Sequence, residues 1–249
     1  MAALSEPEQQ LNKYGKPKRD FVPLESNPVA INTYMNSLGC DTSLYEWCEL
    51  LSCEEWAQGM VPNNRLAVML NFPITDAVIA DEAAERERIA ATPQEVDPSL
   101  FFCNQTIGNA CGTVGIIHAI GSARNSLKDF LLDGWFQQFF DSCEGKSPME
   151  RAEVLEASDE LEELHEAAAA EDESNSSAVD ANLNNHFITF VQGKDGCLYE
   201  MDGRKEWPVN HGKCEDLLSD ASRVIQEKFF ARDPSGLFAM TVYASKGSE

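Results

Sequence analysis

Two apolar runs joined by a four-residue turn constrain this chain most. His186-Phe-Ile-Thr-Phe-Val-Gln192 is rich in aromatic and β-branched residues; Gly193-Lys-Asp-Gly196 follows, then Cys197-Leu-Tyr-Glu-Met-Asp202. A strand, a glycine-bounded turn and a returning strand make a hairpin, and a hairpin pairs antiparallel. Leu66-Ala-Val-Met-Leu-Asn-Phe72 reads as a buried strand that stops at Pro73, and Gly236-Leu-Phe-Ala-Met-Thr-Val-Tyr-Ala244 as a final strand. Helical patterns lie between them. One follows Asn27-Pro28 and closes at Gly39, and a charged one covers 81–90. Another is expected over 126–142, with Leu127, Phe130, Leu131, Trp135 and Phe139 at core-like spacing. The stretch 216–231 is amphipathic, with Leu217, Leu218, Val224, Ile225 and Phe229 on one side. The class is α+β, an antiparallel sheet with packed helices. With 249 residues the chain can bury a sizeable core.

Charge narrows the partners. There are 42 acidic and 19 basic side chains, a net charge of −23. Such a surface repels nucleic-acid phosphates and anionic lipid and favours a basic partner. No apolar stretch approaches the ~18 residues of a membrane span, so no membrane partner is expected. The opening MAALSEPEQQ lacks an apolar core, so no secretory leader is expected. Eight cysteines without a CxxC pair argue against a zinc ribbon, and no metal or cofactor is expected. They fit a reducing compartment, the cytoplasm with the nucleus as a second place. Residues 1–20 read as a flexible tail whose KYGKPKR (13–19) is a solvated basic stretch or an import patch. From Asp141 to Glu173 the chain carries 13 acidic and two basic residues. Ser147-Pro-Met-Glu150 opens a helix there, with Ser as cap and Pro at the first position. Residues 166–182 are Ala, Glu, Asp, Ser and Asn, the composition of a long mobile loop.

Cys111 is the candidate for chemistry. It stands in the small-residue turn Gly108-Asn-Ala-Cys-Gly112, just before the apolar helix Thr113-Val-Gly-Ile-Ile-His-Ala-Ile120. A helix N-terminus offers free N–H groups and a partial positive charge, which stabilise a thiolate. His118, seven residues on, lies ~10 Å along the helix axis, too far to serve the thiol, and reads as a core histidine. His186 opens one hairpin strand and Asp202 closes the other, so both stand at the hairpin's open end. A carboxylate there would orient an imidazole, although a one-residue slip would separate them. His165 falls in the acidic segment, and His211 reads as structural. Gln105, on the approach to the Cys111 turn, is a neutral amide suited to an oxyanion. On these residues alone, a buried structural cysteine, a capping Asp and a surface Gln stay open.

The run Gln105-Thr-Ile-Gly-Asn-Ala-Cys-Gly-Thr-Val-Gly-Ile-Ile-His-Ala-Ile120 closely resembles the active-site signature of the ubiquitin C-terminal hydrolases, papain-like cysteine proteases. The resemblance recurs at Phe21–Pro28, Asn71–Thr75, Ser147–Arg151, His186–Ile188, Leu198–Lys205 and Val209–Gly212. Gly121 departs from it, where the signature carries Ser or Ala. The resemblance implies one catalytic domain over 21–249, a helix-flanked antiparallel sheet with a knotted backbone, and an active-site crossover loop over about 143–185. It implies Cys111 as nucleophile, His186 as base and acid, Asp202 as orienter and Gln105 as oxyanion donor. Pro23 and Leu24 match a segment that touches ubiquitin's apolar patch; simple packing of the N-terminal segment is the alternative. The implied activity is a deubiquitinating thiol hydrolase cleaving after ubiquitin's C-terminal glycine and releasing small or unfolded adducts. Nedd8, whose tail is similar, is a second substrate to weigh. The implied state is a monomer.

Overall fold

The computed structural model describes residues 19–124, 131–173, 185–234 and 236–246. The expectations placed on 1–18, on Leu127 and Phe130, and on 174–182 lie outside the described residues.

The sheet runs β1(Tyr45–Glu49), β6(Ala239–Ser245), β2(Arg65–Pro73), β3(Asn185–Gln192), β4(Cys197–Met201), β5(Val209–Lys213) from edge to edge. Each neighbouring pair is antiparallel. Side chains alternate across a strand, so the central strands fill two cores. Ala67 and Met69 of β2, with Phe187 and Val191 of β3, face one core, while Val68, Leu70, Phe72, Ile188 and Phe190 face the other. The hairpin forms as its composition requires, with Thr189 opposite Met201 and Gln192 opposite Leu198. β1 and β5 were not anticipated from the sequence.

The first core holds α1(Pro28–Ser37), α4(Cys111–Ala123), α5(Trp135–Ser142), α6(Pro148–Glu156) and α7(Asp159–Glu173). The second is covered by α8(Leu217–Val224), which continues into a π-helical turn, Ile225–Phe230, and by the short α2(Glu55–Gln58). α3(Asp76–Ala91) adds Val78 to that side. Every residue of α4 from Gly112 to Gly121 is buried, as a helix apolar on all sides must be. α1 is capped as expected: the Asn27 side chain accepts from the Val29 N–H at 3.0 Å. Ser147 and Glu150 form the reciprocal cap of α6.

Two expectations are corrected. Of the helix placed over 126–142, residues 131–134 are not helical and α5 begins at Trp135. Leu131 instead bridges Cys40, and the Leu132 N–H donates to the Gly39 carbonyl at 2.8 Å. Gly134 packs against the backbone of Gly39, so closely that a Cβ on Gly134 would fall 2.9 Å from the Gly39 Cα. The second correction concerns the mobile loop, which is helical through Glu173. Alanine and glutamate are strong helix formers, and Leu161, His165 and Ala169 recur every fourth residue as a buried face. The stretch 143–185, expected to be a loop, thus contains α6 and α7.

Candidate functional site

The turn before α4 sets the nucleophile. Asn109 adopts a left-handed backbone (φ 57°), which Asn tolerates better than most side chains and which aims the chain into the helix. Ala110 occupies the cap position and offers no side-chain acceptor. The first-turn N–H groups are therefore left for the residue at the helix start, Cys111. The backbone N–H groups of Gly112 and, from β3, of Phe187 favour its thiolate.

The hairpin sets the other two groups. With Thr189 opposite Met201, His186 near the start of β3 and Asp202 just past β4 reach the same end. His186 Nε2 hydrogen-bonds Asp202 Oδ1 at 2.7 Å, and both side chains are buried. Cys111 and His186 are close enough to shift each other's titration, and Nδ1 is the ring nitrogen that the Asp202 bond leaves free. The Arg204 N–H donates to Asp202 Oδ1 at 2.9 Å and fixes the carboxylate. The Phe72 ring turns its edge to the imidazole, 5.8 Å between centroids.

The three groups retune one another. Burial alone would push the Cys111 thiol up, but the His186 hydrogen bond and charge, with the two backbone N–H groups, hold it below its ordinary value. Burial pulls His186 down, yet the Asp202 charge and hydrogen bond, then Cys111, lift it to about 9. Burial would raise Asp202, but His186, Lys205 and the Arg204 N–H hold it low. All three shifts favour a thiolate–imidazolium pair backed by a carboxylate. Elsewhere burial wins: it pushes Cys40, Cys103 and Cys214 up to about 12, and Cys53 and Cys143 to about 11.

Gln105 lies on the wall of this site. Its backbone N–H donates to the Gly203 carbonyl at 2.7 Å, which ties its loop to the turn carrying Asp202. Its Nε2 donates to the Ile107 carbonyl at 3.1 Å, and its buried Oε1 has no partner among the described residues. One N–H of the amide is thus held by Ile107, and the second remains to donate to an oxyanion. Pro23 is exposed and Leu24 half-buried. Leu24 lies over the helix start, where a Cβ on Gly112 would fall 3.3 Å from the Leu24 Cβ.

The other histidines sort by contact. His118 is buried, stacked on Phe102, and hydrogen-bonds the Cys103 carbonyl through Nε2 at 3.0 Å. Burial pushes it down to about 4, consistent with a core histidine. His211 Nε2 meets Glu200 Oε2 at 3.0 Å. His165, assigned to a loop by composition, is buried instead between α7, α4 and the N-terminal segment. Sequence reasoning also missed the Phe187 and Arg204 N–H groups. Backbone donors have no residue signature, so only the strand register discloses them.

Residues 21–230 match the family described as ubiquitin carboxyl-terminal hydrolase, family 1. A probable ubiquitin carboxyl-terminal hydrolase of Dictyostelium discoideum is 37% identical over 219 residues, covering 87% of this chain and 84% of that protein. Ubiquitin carboxyl-terminal hydrolase isozyme L1 of Homo sapiens is 37% identical over 207 residues, covering 82% of this chain and 89% of its own length. In fold, the chain is similar to the UCH37 catalytic domain of Trichinella spiralis, crystallised with ubiquitin vinyl methyl ester. The TM-score is 0.67 at 20% identity, over 91% of this chain and 96% of that one.

Proposed function

The chain belongs to the ubiquitin carboxyl-terminal hydrolase family 1, and we propose that it cleaves the bond after ubiquitin's C-terminal glycine with Cys111 as nucleophile. The observation that carries this reading is the buried His186–Asp202 pair, bonded at 2.7 Å, whose imidazole and Cys111 shift each other's titration at the start of α4. A thiolate needs no further base to attack.

The thiolate sulfur forms a bond to the glycine carbonyl carbon, and the carbonyl electrons move to oxygen. The second amide N–H of Gln105 and backbone N–H groups at the helix start stabilise that oxyanion. The His186 imidazolium gives its proton to the leaving amine as the carbon–nitrogen bond breaks. Now neutral, His186 takes a proton from water, whose oxygen attacks the thioester. Sulfur leaves as thiolate, and ubiquitin departs with a free carboxylate. Asp202 holds the ring orientation throughout and stabilises its charged form.

The acidic surface suits the substrate. The tail that this family cleaves, Leu-Arg-Leu-Arg-Gly-Gly, is basic and extended, and a net charge of −23 draws it in. Paired glycines fit a slot too narrow for side chains. The segment between α5 and β3 restricts leaving groups to small or unfolded ones. A ubiquitin fusion to a stably folded protein should therefore turn over far more slowly than a short peptide adduct. Cys111→Ala is the test of the nucleophile: turnover of a fluorogenic ubiquitin conjugate should vanish, and undiminished turnover would refute the assignment.

A further inference from the structure

His165 sits on α7 fully enclosed, and its ring joins two segments far apart in sequence. Nε2 bonds the Val22 carbonyl at 2.6 Å, and Nδ1 bonds the Thr113 hydroxyl at 3.0 Å. A carbonyl only accepts, so Nε2 carries a proton and donates. Burial holds the imidazole below its ordinary value, which leaves Nδ1 bare to accept from Thr113. Thr113 Oγ1 in turn takes a hydrogen bond from the Tyr34 hydroxyl at 3.2 Å. The line Tyr34–Thr113–His165–Val22 is thus satisfied in one direction, and a satisfied buried polar line specifies one arrangement. Phe21 covers the imidazole face, 4.3 Å between centroids, and Tyr34 meets its edge at 5.7 Å.

What the ring joins matters for the site. Thr113 stands two residues after Cys111 on α4. Val22 stands in a strap, residues 19–24, that crosses the turn leading to Cys111. The Phe21 N–H donates to the Gly108 carbonyl at 2.8 Å, and the Gly108 N–H donates to the Arg19 carbonyl at 3.0 Å. At its start the strap is tied to the beginning of α7: Arg19 donates to the Ser158 carbonyl at 3.0 Å and pairs with Asp159 and Glu162. Beyond Val22 come exposed Pro23 and then Leu24 over Gly112. The Val22 carbonyl is pinned inward while its side chain stays exposed.

We propose that His165 is a positioning residue for substrate recognition, fixing the Val22–Leu24 strap against α4 so that its apolar side chains meet ubiquitin already ordered. This inference rests on the ubiquitin-hydrolase reading above. A loose strap would have to be ordered at every encounter, and that entropy opposes binding. The hydrogen bonds of His165 go to Val22 and Thr113, not to Cys111, His186 or Asp202. The cost of losing it therefore falls on KM and spares the chemical step.

The test uses the full chain carrying His165→Leu, His165→Gln or Arg19→Gln. Glutamine keeps an N–H where Nε2 donates to Val22, so it should restore what leucine loses. Leucine loses both hydrogen bonds of the ring, and the one that holds the strap, to Val22, predicts a KM for a fluorogenic ubiquitin conjugate raised about three- to tenfold in His165→Leu. Its kcat and the rate of Cys111 alkylation by iodoacetamide should stay at wild-type values, and His165→Gln should return KM close to wild type. Arg19→Gln loosens the same strap at its accessible end and should raise KM in the same direction, which keeps the test open if the leucine variant does not fold. Hydrogen exchange reads the anchoring without any substrate: the amides of 20–25 should exchange faster in His165→Leu and not in His165→Gln. An unchanged KM, a fall in kcat and alkylation instead, or unaltered exchange in 20–25 would each overturn the proposal. A wild-type chain that turns over no ubiquitin conjugate would instead refute the reading it rests on, and exchange alone would then judge the strap.

Discussion

Asp202→Asn isolates the charge behind the imidazole. Asparagine keeps an oxygen at the place of Oδ1, 2.7 Å from His186 Nε2, so the hydrogen bond survives and the negative charge goes. Burial then acts on His186 unopposed by that charge. The imidazole is held at about 9 against an ordinary 6.5. That difference corresponds to about 3 kcal/mol, on the order of a hundredfold in the population of the charged form. The Cys111 thiolate supplies part of the rise. The expected fall in kcat/KM on a ubiquitin conjugate is therefore about 10- to 100-fold. The sharper assay is the pH dependence of Cys111 alkylation by a small electrophile. In the wild type the reactive thiolate persists below the ordinary thiol value, because imidazolium formation supports it. In Asp202→Asn the imidazolium is weakened, so the thiol titrates nearer its ordinary value and the acid limb moves to higher pH. A folded Asp202→Asn enzyme with the wild-type alkylation profile would refute the argument that Asp202 sustains the ion pair.

Two further outcomes follow from the same geometry. Gln105→Ala should lower kcat about 100- to 1000-fold, the usual cost of one oxyanion donor, while alkylation by iodoacetamide keeps its rate; an unchanged kcat would remove Gln105 from the reaction. Gly121→Ala should destabilise the fold by about 1–3 kcal/mol in denaturant titrations, because a Cβ there would fall 2.6 Å from the Phe101 Cβ and ring. A neutral or stabilising effect would show that Phe101 moves freely.

That last point gives the Gly121 departure a physical reason. The family signature carries a larger residue there, and in this chain the Phe101 side chain occupies the space. Sequence alone exposed the departure but not the ring that fills it. The hairpin was legible because strand composition and a two-glycine turn agree, and it placed His186 and Asp202 together as argued. Cys111 was legible from its turn and from the apolar helix it opens. α7 was not, because its buried face is built from Leu161, His165 and Ala169, and two of those three are not bulky apolar residues. β5 was missed because Asn210, His211 and Gly212 carry no strand signal, and its pairing to β4 decides the conformation. Gln105 was legible as an amide on the approach to Cys111, but no pattern could show one of its N–H groups bonded to Ile107.

The most direct test of the central claim is reaction with a ubiquitin probe carrying a C-terminal electrophile, followed by peptide mapping of the adduct. The chain has eight cysteines, and Cys111 is held below its ordinary value while burial raises Cys40, Cys48, Cys53, Cys103, Cys143 and Cys214. The account predicts a single ubiquitin adduct on Cys111, formed at a rate that falls in Asp202→Asn. An adduct on any other cysteine, or none at all on folded protein, would contradict it.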